Sequence, residues 1–247
     1  MATTINEIKM QMRSLVSKAP FSKELKEMKR KMDLVDFAFS NVRLDGSIIT
    51  RAGVISILDG NVINNAPVKE HRLIEIHNKL LSKMDDRLEM KMEVDTSVAE
   101  AFYKIIIGDE QLDYRTSNPI LYHLDFVPDN YTDIRGAFSD ALKKISRNDY
   151  DGDFCLKAAA FHMEIIRIYP FDDYTEMLAR TVMQYELKRV GLFPIAINID
   201  EQLYNHMISE ALVTGNPEHF AQIIRKSTID KLDFLIDKAS KQVTTDI

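Results

Sequence analysis

Tyr169-Pro-Phe-Asp-Asp-Tyr-Thr-Glu-Met-Leu-Ala-Arg180 places phenols, carboxylates, a hydroxyl and a guanidinium in one short segment. A tyrosine titrates near pH 10, so Tyr169 carries almost no phenolate at neutral pH and is poorly matched to general-base work. Packing at a helix end with its hydroxyl hydrogen-bonded is the simpler role. Asp173-x-x-Glu176 has the spacing of a capping box, in which Asp173 accepts from the helix and Glu176 reaches back. Asp172, Asp173 and Glu176 then serve as partners of a helix dipole or, alternatively, as ligands of a cation. Arg180 follows Glu176 by one helical turn and is placed to pair with it.

Two helices must position this segment. Phe154–Ile168 is almost continuously apolar, as suits a helix at the centre of a domain, and Pro170 ends it. A second helix is predicted from Tyr174 to Val190, with Leu178, Val182 and Leu187 inward, Lys188 and Arg189 near its negative end, and Gly191 just past it. The start of that helix presents unpaired N–H groups beside the core, a natural anion site unless a side chain fills it. His162 lies two turns before Tyr169 on the same face, as a hydrogen-bonded core histidine or a second base.

With only 8 Gly and 7 Pro in 247 residues, the remaining chain also reads as α-rich. Apolar periodicity predicts helices over Ile5–Val16, Ser22–Phe39, Thr50 to Gly60, Val68–Met84, Tyr131–Ile145, Glu201–Val213 and Pro217–Ala239, with a frayed tail after Lys241. Between Leu112 and Val127, two short runs flank Ser117, Asn118 and Pro119, which predicts a β-hairpin. His71 and His77 point to different sides of their helix, which argues against a metal pair.

The formal charge of −6 disfavours sequence-independent nucleic-acid binding, and the basic stretch Lys23–Lys31 is interleaved with acids as a solvated helix face is. No apolar run is long enough to span a membrane, and the N-terminus lacks a signal peptide's apolar stretch, so a cytoplasmic location is expected. The lone Cys155, between Phe154 and Leu156, reads as a buried structural thiol.

The segment 169–180 resembles the signature of Fic (Fido) proteins, His-Pro-Phe-x-x-Gly-Asn-Gly-Arg-x-x-Arg. Pro170, Phe171, Asp173 and Arg180 match it. Tyr169 stands at the histidine, and Tyr174, Thr175, Glu176 and Met177 replace Gly-Asn-Gly-Arg. Leu156–Ile168, Tyr185–Pro194 and Tyr204–Ile224 are similar to the flanking helices of that family. Asn41-Val-Arg-Leu-Asp45-Gly46 resembles its inhibitory motif Ser/Thr-x-x-x-Glu-Gly. Residues 112–127, with Tyr114, Arg115, Tyr122 and His123, resemble its target-positioning flap.

The resemblance implies a mainly α, Fic-fold helical domain with a small β-hairpin flap. It implies an N-terminal helical region (1–95) with the inhibitory-like segment at 41–46, a Fic-like core (96–225), and a C-terminal helix and tail (226–247). In the family, the histidine takes a proton from a target hydroxyl while AMP is moved from ATP, the acidic residue holds Mg²⁺, and arginines neutralise charge. If that activity is retained, ATP sits over Thr175, Glu176, Met177 and Arg180, with Mg²⁺ on Asp173. Bulky Tyr174, acidic Glu176 and uncharged Met177 oppose phosphate binding. A binding or regulatory scaffold, inactive in AMP transfer, is therefore expected, with a protein partner at the flap and a homo-oligomer allowed. The alternative is a transferase of AMP or another phosphate-containing group with altered chemistry, using Asp173 and Arg180 or modifying Tyr169 itself. A transcriptional or toxin-like regulator has family association alone behind it. Inhibitory pairing would join Asp45 to Arg180, although Asp is a methylene shorter than Glu. Asp45-Gly46 otherwise serves as a turn.

Overall fold

The computed structural model describes residues 3–64 and 66–242. Ten α-helices occur among them: α1 (Ile5–Val16), α2 (Lys23–Leu44), α3 (Arg51–Leu58), α4 (Val68–Glu89), α5 (Thr96–Ile107), α6 (Ile134–Arg147), α7 (Phe154–Ile168), α8 (Thr175–Arg189), α9 (Glu201–Thr214) and α10 (Glu218–Gln242). Local chemistry sets most of their starts. Thr4, Ser22, Thr50, Asp95, Asp133, Asp153 and Asp200 each accept a hydrogen bond from a first-turn N–H, worth about 1 kcal/mol apiece. The start of α8 has no such side-chain cap.

The apolar run Phe154–Ile168 becomes the central helix, which α6, α8, α9 and α10 pack around. Cys155, Phe161, Ile165 and Ile166 are fully buried on it, and each large side chain removed from water contributes about 1.5–3 kcal/mol. Burial also pushes the Cys155 thiol well up, so it is an unreactive core residue.

Three elements differ from the sequence reading. Helix α2 runs to Leu44, beyond Phe39, and so carries Ser40, Asn41 and Val42 as buried side chains. Helix α5 was not anticipated, although Asp95 caps it, Gly108 follows it in a left-handed conformation, and Val98, Ala99, Phe102, Tyr103 and Ile106 form its buried stripe. The β-hairpin over 112–127 does not form. One isolated bridge joins Leu121 to Phe126 around a 3₁₀ turn at Tyr122–Leu124. The Arg115 guanidinium replaces a ladder by donating to the carbonyls of Ser117 (2.8 Å), Asp129 (2.7 Å) and Tyr169 (2.8 Å). The Asn118 amide donates to the Pro128 carbonyl at 3.0 Å, and Pro119 and Pro128 offer no N–H for pairing. The tail expected to fray beyond Lys241 lies largely outside the described residues. Among those described, no helix is long and apolar enough to cross a membrane.

Helix α2 is fastened to the rest of the fold by a buried cation. Lys231 of α10 places its ammonium 2.7 Å from Asp33 and 2.8 Å from Asp36, donates to the Pro194 carbonyl at 2.5 Å, and lies 5.1 Å from the centre of the Phe193 ring. The Ser40 hydroxyl adds an acceptor for the Ile197 N–H at 2.8 Å.

Candidate functional site

Pro170, by its lack of a donor N–H and its fixed φ, stops α7, and the chain turns through Tyr169 in a left-handed conformation. The loop is then held from three sides. Phe171 is fully buried and stacks on Tyr103, with ring centres 3.7 Å apart. The Thr175 hydroxyl donates to the Phe171 carbonyl (2.8 Å) and accepts from its N–H (3.2 Å). The Tyr103 hydroxyl donates to the Asp173 carbonyl at 3.1 Å, and the Arg115 N–H donates to the Pro170 carbonyl at 3.0 Å. Tyr114 packs on Phe171 and donates to Glu100 at 2.6 Å. Tyr114 and Arg115 therefore fasten the flap base to the loop, while Tyr122 stands in solvent at its tip.

Tyr174 takes φ 57° and ψ 13°, the left-handed region that glycine reaches without penalty. A tyrosine holds this conformation at a cost of about 1–2 kcal/mol relative to the right-handed region. The capping box does not form. Left-handed Tyr174, in place of Asp173, immediately precedes α8, and the Glu176 carboxylate turns away to His123 Nε2 at 2.7 Å. Accepting in this bond, Glu176 raises the pKa of His123 against partial burial.

Arg180 does not pair with Glu176 either. Its Nε donates to Asn41 Oδ1 at 2.6 Å, one terminal nitrogen reaches the Tyr204 hydroxyl at 3.3 Å, and the other bonds Asp45 directly. The shorter Asp45 reaches because α2 continues to Leu44 and delivers it onto the guanidinium, which is only 2% exposed. Asp45 also caps α2 and Gly46 follows with φ +83°, so the segment is a turn as well. Burial pulls the Arg180 guanidinium down, and Asp45, Tyr204 and Glu176 outweigh it, holding it above its usual range. Burial pushes the Asp45 carboxyl up while Arg180 pulls it down.

Two buried histidines close the network. Because an arginine only donates, Asn41 must offer Oδ1 to Arg180, leaving its Nδ2 to donate to His77 Nε2 at 2.9 Å. His77 is therefore neutral, and burial lowers its pKa to about 4. His162 Nε2 lies 2.8 Å from the Tyr204 hydroxyl, and burial with the nearby Arg180 holds its pKa well below 6.5. His162 is the hydrogen-bonded core histidine of the sequence reading. His71 is separate, accepting from the Ile63 N–H at 3.0 Å.

In front of this network lies a cavity of about 520 Å³. Val42, Leu44, Leu73, Met177 and Tyr169 give it buried apolar walls. Asp45, Glu70, Asp173, Glu176 and Glu201 bring carboxylates to it, against the cations Lys69 and His123. Burial, then the charges of Glu176, Asp173 and Asp45, push the Tyr169 phenol far above its ordinary pKa. Of the residues singled out by sequence, Asn41, Asp45, Gly46, Tyr169, Asp173, Thr175, Glu176, Met177, Arg180 and His123 thus meet at or beside one cavity. Tyr204, His77, Lys69 and Glu201 were missed as members. Only packing of α4 and α9 against α2 and α8 brings them there, and no local spacing signals it.

A buried central helix, a left-handed turn and an arginine one helical turn into the next helix define a helical protein with the Fic architecture. Residues 67–187 match the Fic/DOC family, and the chain belongs to that family through this domain. A Fic domain containing signaling protein from Bacteroides thetaiotaomicron superimposes with a TM-score of 0.78 at 17% identity, covering 95% of this chain and 98% of that one. Fic-1 (residues 134–508) from C. elegans gives a TM-score of 0.78 at 15% identity, over 96% and 72%. A Fic family protein from Desulfovibrio desulfuricans gives 0.62 at 14%, over 99% and 76%. No curated protein matches the chain by sequence.

Proposed function

We propose that this Fic-family protein has given up AMP transfer and serves as a binding or regulatory scaffold, meeting a protein partner through the flap region where Tyr122 is exposed. The observation that carries this reading is the engagement of Arg180, whose Nε and both terminal nitrogens already bond Asn41, Tyr204 and Asp45. A phosphate would have to displace that set.

The rest of the lining is a poor fit for a Mg²⁺-nucleotide. Tyr174 puts a ring where a phosphate loop needs bare backbone, and Met177 supplies no charge to balance a phosphate. The carboxylates of the cavity repel an anion more than Lys69 and His123 attract it. Among the described residues, Asp173 belongs to no group of three or more His, Cys, Asp or Glu side chains placed to hold a metal ion. Tyr169, held protonated by burial and by the acids around it, cannot take a proton from a hydroxyl.

Titration calorimetry of the full chain with ATP and Mg²⁺ tests the reading. No saturable heat is expected up to about 1 mM nucleotide. Mg²⁺-dependent binding in the micromolar range would overturn it, as would a mass adduct on the protein after incubation with ATP.

A further inference from the structure

We infer that the groove between α1 and the start of α7 is a docking site for an amphipathic helix of another protein, one whose apolar stripe is bordered by carboxylates a turn apart. The groove shares no residue with the cavity beside α8, so the inference goes beyond the reading of that cavity and does not depend on it.

Charge is distributed unevenly along the chain. Residues 1–31 hold eight of the 32 Lys and Arg but only three of the 38 Asp and Glu, a surplus of five positive charges in a chain of net −6, which leaves the remainder at −11. Such a split points to an anionic partner for the basic part. The three acids do not offset the charge of α1. Glu7 is taken up in capping that helix, and Glu24 and Glu27 lie on α2.

The groove is a second, independent feature. Helix α1 packs along α10 with Ile8 buried, and its apolar stripe runs on past that residue. Met12 and Val16 follow Ile8 at four-residue steps and meet Phe154, the first residue of α7. With Ser17 they line a groove of about 500 Å³, in which Val16 is 70% exposed. Lys9 and Arg13 edge the same groove, one helical turn apart, and form no ion pair among the described residues. Asp153, next to Phe154, caps α7 and is committed to Arg225 at 2.5 Å. An apolar wall bordered by two cations without counter-ions is left.

Shape selects among anionic partners. A groove takes a ridge of side chains, which an amphipathic helix presents at i, i+3 and i+4. Acids four residues apart on that helix would meet Lys9 and Arg13, which are themselves four apart. An anionic lipid surface is flat and meets Val16 without reaching the half-buried Met12 and Phe154. A nucleic-acid backbone has no apolar ridge to offer. A second copy related by a two-fold axis would set these cations against themselves.

Fluorescence anisotropy on the full chain at low salt tests the site. The probe is a labelled amphipathic peptide with a leucine stripe bordered by glutamates. Its controls are the same peptide with lysines for the glutamates and an acidic isomer with the leucines scattered. The striped acidic peptide is expected to bind with Kd below about 1 mM, roughly tenfold or more tighter than either control. Lys9→Gln/Arg13→Gln should weaken it roughly fivefold, and Val16→Asp roughly tenfold by setting a charge in the apolar wall. Arg13 and Val16 are exposed, and circular dichroism checks that both variants fold. No binding, equal binding by either control, or indifference to both variants overturns the inference. So does tighter binding, sensitive to the Lys9/Arg13 change, to phosphatidylcholine vesicles with about 30% phosphatidylserine or to a DNA duplex of about 20 base pairs. A dimer in sedimentation that Val16→Asp abolishes would give the groove to a second copy and overturn it as well.

Discussion

Arg180 and Lys231 are both buried cations, both hold helix α2, and they do so differently. Lys231 faces two aspartates and a carbonyl and lies against the Phe193 ring. Arg180 faces one aspartate, one amide and one phenol, with His77 and His162 a single hydrogen bond further out and an open cavity in front. One end of the contact is built for cohesion. The other holds its arginine with Asn41, Tyr204 and Asp45 beside an open cavity.

The sharpest break of this contrast is Lys231→Met. It leaves Asp33 with Lys29 alone and Asp36 with Arg51 alone, and costs about 3 kcal/mol, the low end for a broken buried pair, because each carboxylate keeps one cation. Chemical denaturation should report that loss, and a change under about 1 kcal/mol would show that the lysine is dispensable.

Acid should loosen the Arg180 end specifically. The pKa of His77 falls from 6.5 to about 4 on folding, so the unfolded chain binds its proton first as pH drops. Stability from this group is complete above about pH 6.5 and is lost as pH falls toward 4, by roughly 3 kcal/mol in all. His162 adds loss of the same sign. In His77→Gln the decline between pH 6.5 and 4 should be shallower, as read by urea midpoints across pH. An unchanged slope would remove His77 from the network.

Arg180→Met should cost less than Lys231→Met, about 2 kcal/mol, because Asp45 is 35% exposed and can turn to water. A loss equal to that of Lys231→Met would erase the distinction between the two cations. The smallest effect belongs to the flap. Glu176→Gln should bring the His123 pKa back down toward its ordinary value by NMR titration, with a stability change below about 1 kcal/mol for so exposed a pair. The sign is opposite to that of His77: the His123 contribution is present below pH 6.5 and disappears as pH rises through the raised value. An unshifted His123 resonance would sever the flap from α8.

The contrast also marks what could be read from the chain alone. Helices with an apolar stripe and a capping residue, such as α1, α7 and α9, were legible, because both signals are local. Helix α5 carries both signals as well, in its Asp95 cap and its buried stripe. The flap failed for a different reason. Its alternating pattern was genuine, but Arg115 draws its backbone carbonyls inward, and that depends on α7 ending nearby. At the site, the loop and its partners at positions 41 and 45 were found by resemblance to the family. The bonds were not: Asp173 and Glu176 had the spacing of a cap, yet Glu176 found His123, 53 residues away in sequence, a better partner than its own helix. Long-range pairing of this kind leaves no trace in spacing.

Tyr174 has one more implication. Its left-handed backbone gives the turn a contour that glycine would adopt without strain. Phe171, Thr175 and Tyr103 hold that contour from outside the cavity. The loop is thus a mould whose contents can be rewritten. Placing glycine at 174 would ask nothing new of the main chain there, so the side chain at this turn can change without refolding.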